Sequence, residues 1–395
     1  MQKEETVQQK RAFQLQVDQV LVRRRHVDSE CLEGRYFLRL EGDFGNSYQT
    51  ILSWKESLTV EAGTALTFWP EFVRSGDVRL QYVLCLQPVG GFGEPEIRIV
   101  EEMRQPFLME ACPYGRQMAV SLRVRGKGSF TVGTIHIREM VEGGAAFLPG
   151  SLWMADSERE EIFSYFNPMD RKEPLTVVFS GRRPQEGFDG TELLEEAGSP
   201  VLLLSDPRLG GGCGYLGTEQ YERNVEARIL DAVSWLKLSP EQIIFAGSSM
   251  GAVGALYYGA RIHPAAYVLG RPLINLGSAA KRERIQRPGG FPVSLDLLRK
   301  LTGGVSEEDA GKLDRRMQER LRTGSFRKAE MAVAYMQEDD YDPEAYLDLL
   351  HGLRGQECKI YGKGFSGRHN DSQDEVREWL RLQYHRIRKE RYGRG

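Results

Sequence analysis

Ile243-Ile244-Phe245-Ala246-Gly247-Ser248-Ser249-Met250-Gly251 is a short apolar run that breaks into the pattern Gly-x-Ser-x-Gly. The run reads as a buried strand, and the segment Ala252 to Ala260, rich in Ala, Gly and Tyr, reads as a helix that follows at once. Strand, sharp turn and helix in that order form a nucleophile elbow. The spacing has a steric cause. A serine at the tip of a strained turn needs neighbours with almost no side chain, so that strand and helix approach closely and Ser249 Oγ is pushed into the open. The pentapeptide alone is a weak signal; its flanking strand and helix make it informative.

Outward from the elbow, apolar runs alternate with helix-length segments. Leu175-Thr176-Val177-Val178-Phe179 and Val201-Leu202-Leu203-Leu204 are expected strands, and Glu219 to Leu236 is an expected helix with Val225, Ile229, Val233 and Trp235 at apolar positions. Tyr267-Val268-Leu269, Met331 to Met336 and Lys359-Ile360-Tyr361 are expected strands downstream. Buried runs separated by helices imply a mostly parallel sheet with right-handed crossovers. Between Arg271 and about Arg327, Gly289-Gly290, Gly303-Gly304 and many charges mark an insertion, either a cap over the site or a solvated helical excursion. From Asp371 onward one helix is expected, with Val376, Trp379, Leu380 and Ile387 near one face. Its closing Arg386, Arg388, Lys389 and Arg391 complement the helix dipole.

Before about Met140 the period changes to two. Phe13/Leu15/Val17, Tyr36/Leu38/Leu40, Val78/Leu80/Tyr82/Leu84, Met118/Val120/Leu122/Val124 and Ile135/Ile137 alternate with polar residues. Turns are expected at Gly42-Asp43, Ser75-Gly76-Asp77, Gly90-Gly91 and Gly126-Lys127-Gly128. Short alternating strands with turns between them predict an antiparallel sandwich. Trp54, Phe68, Trp69, Phe72 and Tyr82 either fill its core, the stronger reading, or present faces for stacking on sugars. Glu142-Gly143-Gly144 through Pro149-Gly150 is a small-residue boundary. The expected class is therefore α/β. An α/β-hydrolase fold over residues 146–395, carrying the insertion at about 271–327, is preceded by a jelly-roll-like antiparallel β-sandwich over residues 1–145.

Bulk properties exclude several classes. A chain of 395 residues with 41% hydrophobic and 28% charged residues is that of a globular protein of about two domains. A net charge of −3 offers no general attraction for nucleic acid or an anionic membrane. Cys31, Cys85, Cys112, Cys213 and Cys358 are scattered, with no CxxC pair, which argues against a disulfide framework and a structural zinc. No metal site is expected, because no His/Asp/Glu cluster has ligand spacing. No apolar run reaches membrane-spanning length, and Met1-Gln2-Lys3-Glu4-Glu5 lacks the apolar core of a secretory signal. A cytoplasmic protein is expected.

A serine hydroxyl is a poor nucleophile at neutral pH and needs a base, which in turn needs an acid to hold its tautomer. In this fold both follow the serine, in the order acid then histidine. Of His263, His351, His369 and His385, only His369 falls in the loop between the last strand and the last helix, within Gly364-Phe365-Ser366-Gly367-Arg368-His369-Asn370-Asp371. The acid should follow Met331 to Met336. Asp342 before Pro343 looks like a helix N-cap, which leaves Glu338, Asp339 and Asp340. Glu338, nearest the strand end, is the first choice and Asp339 the alternative. The oxyanion hole should combine the N–H of Met250 with that of Gly181 or Arg182, from the loop after Phe179. Gly210-Gly211-Gly212-Cys213-Gly214 lacks the ending of a phosphate-cradling motif and is expected to be a mobile loop near the sheet edge.

Gly247-Ser-Ser-Met-Gly251 running into Ala255-Leu-Tyr-Tyr-Gly259, then Gly270-Arg-Pro-Leu-Ile-Asn-Leu-Gly277, resembles accessory secretory protein two of the bacterial accessory Sec system. Tyr165-Phe-Asn-Pro168, Val178-Phe-Ser-Gly-Arg182, Ala334-Tyr-Met336 before Asp339-Asp-Tyr-Asp342, and Gly367-Arg-His-Asn370 fit the same family in order. The resemblance implies an O-acetyltransferase that modifies N-acetylglucosamine on serine-rich-repeat adhesins through a Ser–acid–His triad. It also implies a part in export of that adhesin, with sibling accessory Sec proteins and the dedicated SecA motor, at the inner face of the membrane. Ser249 would be acetylated from a donor of unstated identity, with no tightly bound cofactor, and His369 would move the proton. A carbohydrate esterase or other serine hydrolase, and a non-catalytic export scaffold, are the competing readings.

Overall fold

The architecture was followed in a computed structural model that describes residues 9–90, 93–101, 103–141, 144–286 and 289–394, without the side chains of 284–286. Met1 to Glu5, Gly91, Glu142 and Gly143, which entered the sequence reading, lie outside the described residues. Two compact units divide the chain, Gln9–Pro149 and Gly150–Gly395.

In the first unit, alternation of apolar and polar residues gives strands with one buried face. They are β1 (Ala12–Leu15), β2 (Val20–Val22), β3 (Ser29–Glu33), β4 (Phe37–Asp43), β5 (Gln49–Trp54), β6 (Leu58–Val60), β7 (Leu66–Gly76), β8 (Arg79–Pro88), β9 (Glu96–Glu101), β10 (Phe107–Met109), β11 (Arg116–Arg125) and β12 (Lys127–Glu139). One antiparallel sheet runs β10-β7-β12-β4-β3 with β1 also on β12; the other runs β2-β5-β11-β8-β9 with β6 also on β11. Leu38, Leu40, Phe68 and Ile135 of the first sheet share one core with Leu52, Tyr82, Leu84 and Val120 of the second. Trp54, Phe68, Trp69 and Tyr82 are buried, and Phe72 packs against the same core. The rings of Trp54, Phe68, Phe72 and Tyr82 therefore fill the sandwich, while Trp69, buried on the other face of β7, lies outside that core.

The second unit is a mixed α/β structure. Its eight strands are β13 (Leu152–Ala155), β14 (Glu161–Asn167), β15 (Leu175–Phe179), β16 (Val201–Ser205), β17 (Ile243–Ser248), β18 (Ala266–Gly270), β19 (Glu330–Met336) and β20 (Lys359–Phe365), in the order β13-β14-β16-β15-β17-β18-β19-β20. β13 and β14 pair antiparallel at one edge, and the six strands from β16 to β20 are parallel. The helices are α1 (Leu193–Glu196), α2 (Glu219–Leu236), α3 (Met250–Ile262), α4 (Leu276–Gln286), α5 (Ser294–Thr302), α6 (Glu307–Thr323), α7 (Ala345–Gly352) and α8 (Gln373–Tyr392). β15, β16 and β18 are buried along their whole length, which is why they read as apolar runs without alternation. Thr218 caps α2 by accepting from Tyr221 N–H. The insertion after β18 forms α4, α5 and α6, and Asp314 of α6 accepts from the N–H groups of Gly277 and Ser278, tying α4 to it. On α8, Val376, Trp379, Leu380 and Ile387 pack over Ala266, Val268, Ala332 and Ala334 of the sheet.

The glycine-rich run 210–214 differs from expectation. Gly211 to Gly214 are buried, because the chain here wraps a fully buried guanidinium. Arg208 donates to Asp206 Oδ1 at 2.8 Å, to Asp206 Oδ2 at 2.7 Å and to the Leu216 carbonyl at 2.9 Å, and also pairs with Glu160. Its guanidinium lies 3.5 Å from the centroid of Tyr221, and Lys300 of α5 reaches Glu160 at 2.7 Å. Burial lowers the pKa of Arg208, but the surrounding carboxylates outweigh it and hold the cation firmly protonated. Removing one partner of such a cluster leaves uncompensated buried charge. Arg208→Ala is expected to lower the unfolding free energy of this unit by about 3–5 kcal/mol, read as an earlier urea midpoint of the full chain.

Candidate active site

Ser249 sits between β17 and α3 at φ 53° and ψ −118°, a conformation unfavourable for any residue with a side chain. The turn survives because its neighbours are bare. A Cβ on Gly251 would lie 2.1 Å from the Phe179 carbonyl oxygen, and one on Gly247 would lie 2.5 Å from the Gly251 backbone. Strand and helix thus press together, and the half-buried Ser249 stays within reach of the outside.

Ser249 Oγ lies 2.9 Å from His369 Nε2, and His369 Nδ1 lies 2.8 Å from Asp339 Oδ2. A carboxylate can only accept, so Nδ1 carries the proton and Nε2 is left to accept from the serine hydroxyl. His369 is buried, although it stands in a loop, because the Tyr341 ring stacks on it with centroids 4.1 Å apart and planes 8° from parallel. Its backbone is also held. His369 N–H donates to Asp340 Oδ1 at 3.1 Å, and Arg271 Nη1 donates to the His369 carbonyl at 3.0 Å.

The acid in contact with the imidazole is Asp339, not the first-choice Glu338. Pairing of β19 with β20 continues beyond the strand ends, through Gln337 N–H to the Phe365 carbonyl and Glu338 N–H to that of Gly367. Glu338 is exposed and its carboxylate turns back to accept from Gly367 N–H. The chain bends inward one residue later, and Asp339 Oδ1 accepts from the N–H groups of Tyr341 and Asp342 at 2.8 and 3.0 Å. Burial pushes the Asp339 carboxyl up, but the hydrogen bond and charge of His369, with the two backbone donors, outweigh it and hold the pKa below the usual aspartate range. Asp339 therefore stays ionised through the neutral range. Its contribution to stability is present above the ordinary aspartate value and is lost only as pH falls through the lowered one.

Asp342 has a structural role, but not as a cap. The helix starts at Ala345 with Glu344 at its N-cap, and the buried Asp342 carboxylate instead accepts from Ile274 N–H, Asn275 N–H and Asn275 Nδ2. It anchors the start of the insertion under the site. Burial raises its pKa, and the bonds from Asn275 and Ile274 oppose that. Of the other histidines, His263 bonds the Ser325 carbonyl at 2.8 Å, His351 closes α7, and His385 faces Glu196 from α8.

The oxyanion donors need one correction. Gly181 N–H is committed to Asp189 Oδ2 at 2.8 Å, so it is not available to a reacting oxygen. The N–H groups of Arg182 and of Met250, in the first turn of α3, make no hydrogen bond among the described residues. Both residues line a cavity of about 190 Å³ that also includes Ser249, Arg271, Leu273, Phe291, Tyr341 and Asn370. Leu273 and Phe291 come from the segment after β18, so the insertion walls one side of the cavity. Sequence reasoning did not select Tyr341, Arg271 or Asn370. Tyr341 and Asn370 directly flank residues that it did examine, and Arg271 lies one residue past the end of β18. Among the described residues, no group of three or more His, Cys, Asp or Glu is placed to hold a metal ion, and no helix is long and apolar enough to cross a membrane.

A serine at a strand-to-helix turn, bonded through a buried histidine to an aspartate at one edge of a mixed sheet, places the protein among α/β proteins with a serine-centred polar site. Residues 2–394 match the family described as Accessory Sec system GspB-transporter, and the chain belongs to this family of the accessory Sec system. It is 35% identical over 365 residues to the accessory Sec system protein of Staphylococcus aureus (strain NCTC 8325 / PS 47), covering 92% of this chain and 70% of that one. It is 36% identical over 360 residues to the counterpart from Streptococcus gordonii, covering 90% and 70%. The solved Glycosylation Associate Protein (Gap123) complex from Streptococcus agalactiae contains a chain that superposes with a TM-score of 0.93 at 34% identity, over 98% of this chain and 75% of that one.

The contacts separate the two acids. Asp339→Asn is expected to slow fluorophosphonate labelling of Ser249 on the order of 10³–10⁴-fold, since the amide leaves His369 in the wrong tautomer. Glu338→Gln removes only a loop contact and is expected to change the rate by less than about tenfold.

Proposed function

We propose that the second unit is an acyl-transfer domain of α/β-hydrolase type in which Ser249, His369 and Asp339 O-acetylate a glycan. The observation that carries this reading is the unbroken chain of hydrogen bonds from Ser249 Oγ through both nitrogens of His369 to Asp339, opening on a cavity. Ser249 Oγ attacks the acetyl carbon of a donor while its proton passes to His369 Nε2. Asp339 stabilises the resulting imidazolium, and the N–H groups of Met250 and Arg182 stabilise the tetrahedral oxygen. His369 returns the proton to the leaving group. A sugar hydroxyl then attacks acetyl-Ser249, gives its own proton to His369, and leaves as the acetyl ester with the serine restored.

The acceptor we assign is N-acetylglucosamine on a serine-rich-repeat adhesin. Family membership and the resemblance of the quoted motifs support that choice, together with a part in the export of the adhesin. Residues 146–395 carry the chemistry, without a tightly bound cofactor. Sibling accessory Sec proteins are the proposed partners, in keeping with the complex in which the superposing chain was solved, and the dedicated SecA motor is a further one. The site of action is the cytoplasmic face of the membrane.

Incubation of the full chain with an acetyl donor and a GlcNAc-bearing acceptor is expected to yield acetylated acceptor, and Ser249→Ala to abolish it. Cleavage of model acetyl esters with no transfer to the sugar would make the protein an esterase. Equal fluorophosphonate labelling of parent and Ser249→Ala would remove Ser249 from the chemistry and leave a non-catalytic export scaffold.

A further inference from the structure

The cavity beside Ser249 is electrically one-sided. Arg271 lines it and is held there by its own backbone and side chain, at φ 47°, with Nη1 on the His369 carbonyl and Nη2 on Ser248 Oγ at 3.2 Å. Its Nε is buried with no hydrogen-bond partner. Both acceptors are neutral, so they satisfy donors without balancing the charge. Burial lowers the pKa of Arg271, with Asp339 opposing, yet a guanidinium keeps its proton at neutral pH. The Asp339 carboxylate is the nearby opposing charge, and its oxygens are already taken by His369, Tyr341 and Asp342. Arg182, exposed on the cavity lining, has no ion pair or hydrogen bond among the described residues. Asp189, the other charged group of the lining, is engaged by Arg183 at 3.0 Å and by Gly181 N–H. The positive end of α3 opens into the same space at Met250. Two guanidinium groups without a carboxylate partner and a helix N-terminus therefore meet at one small polar cavity, and an anionic occupant would balance the half-buried Arg271 in a way that a neutral one would not.

We propose that this cavity selects an acyl donor whose leaving group carries phosphate. The inference rests on the acyl-transfer reading above and names its donor side. Ser249 Oγ bonds to the acyl carbon, and the bond from that carbon to the donor's oxygen or sulfur breaks. The electron pair departs with the phosphate-bearing group, which takes the proton that His369 received from the serine. Arg271, deep and beside Ser248, suits a phosphate at the scissile bond, as in an acyl phosphate. Arg182, exposed, suits a phosphate farther along the leaving group, as in a phosphate-bearing thioester.

Steady-state kcat/KM of the full chain with four acetyl donors tests this: acetyl phosphate and acetyl-coenzyme A, against the uncharged p-nitrophenyl acetate and S-acetylpantetheine. A preference of about tenfold or more for acetyl-coenzyme A over S-acetylpantetheine, weakening as salt is raised from about 0.05 to 0.5 M, supports the proposal and identifies the thioester. Arg182→Gln then lowers that preference about tenfold. A salt-sensitive use of acetyl phosphate whose ratio to p-nitrophenyl acetate falls about tenfold in Arg271→Gln, and is kept in Arg271→Lys, supports it and identifies the acyl phosphate. Salt-independent use of all four donors, with no preference within either pair, overturns it. If p-nitrophenyl acetate is still turned over through Ser249 in that case, the acyl-transfer reading stands alone. If no donor acylates Ser249, both readings fall together.

Discussion

Everything at this site depends on an imidazole that is held from both sides. His369 bonds Ser249 at one nitrogen and Asp339 at the other, and the Tyr341 ring covers one of its faces. A loop histidine would ordinarily sample many orientations and lose rotamer entropy on being fixed. Here that loss is offset by burial against Tyr341 and by bonds to the loop's own backbone from Arg271 and Asp340. The loop after β20 is polar and glycine-bearing in sequence, but its one imidazole is packed as tightly as a core residue.

The same economy of contacts recurs around the elbow. Arg271 joins Ser248, the neighbour of Ser249, to His369, the partner of Asp339, although these residues lie far apart along the chain. Asp342 holds Ile274 and Asn275, so the acid-bearing loop and the start of the insertion share one carboxylate. Arg208, Asp206 and Glu160 form a third ionic knot beneath the glycine-rich run, reached from α5 by Lys300. These three polar clusters, rather than hydrophobic burial alone, set the register of the loops that border the cavity, since hydrogen bonds carry directional information that apolar packing lacks.

Legibility from sequence followed the range of the physics. The elbow, the parallel strands, α2 and the identity of Ser249 and His369 rest on local rules: apolar runs for strands buried on both faces, bare residues at a strained turn, and one histidine in the last strand-to-helix loop. The choice between Glu338 and Asp339 did not follow from such rules. It turns on how far the β19–β20 pairing runs past the last assigned residues, and two more backbone bonds put Glu338 outside and Asp339 inside. Gly181 is a similar case, because the Asp189 carboxylate that takes its N–H comes from the following loop.

By itself, the amino-acid sequence determined where strands, turns and helices lie and which residue types could do chemistry, because those follow from side-chain period and backbone sterics within a few residues. It also carried the family motifs. Only the tertiary structure decided which carboxylate meets the imidazole, which backbone N–H groups around the cavity stay unbonded, and that two arginines line the cavity without a carboxylate partner. The carboxylate that meets the imidazole lies 30 residues from it and the one that takes the Gly181 N–H only 8, but both contacts exist only once the folded loops have brought those side chains to their partners.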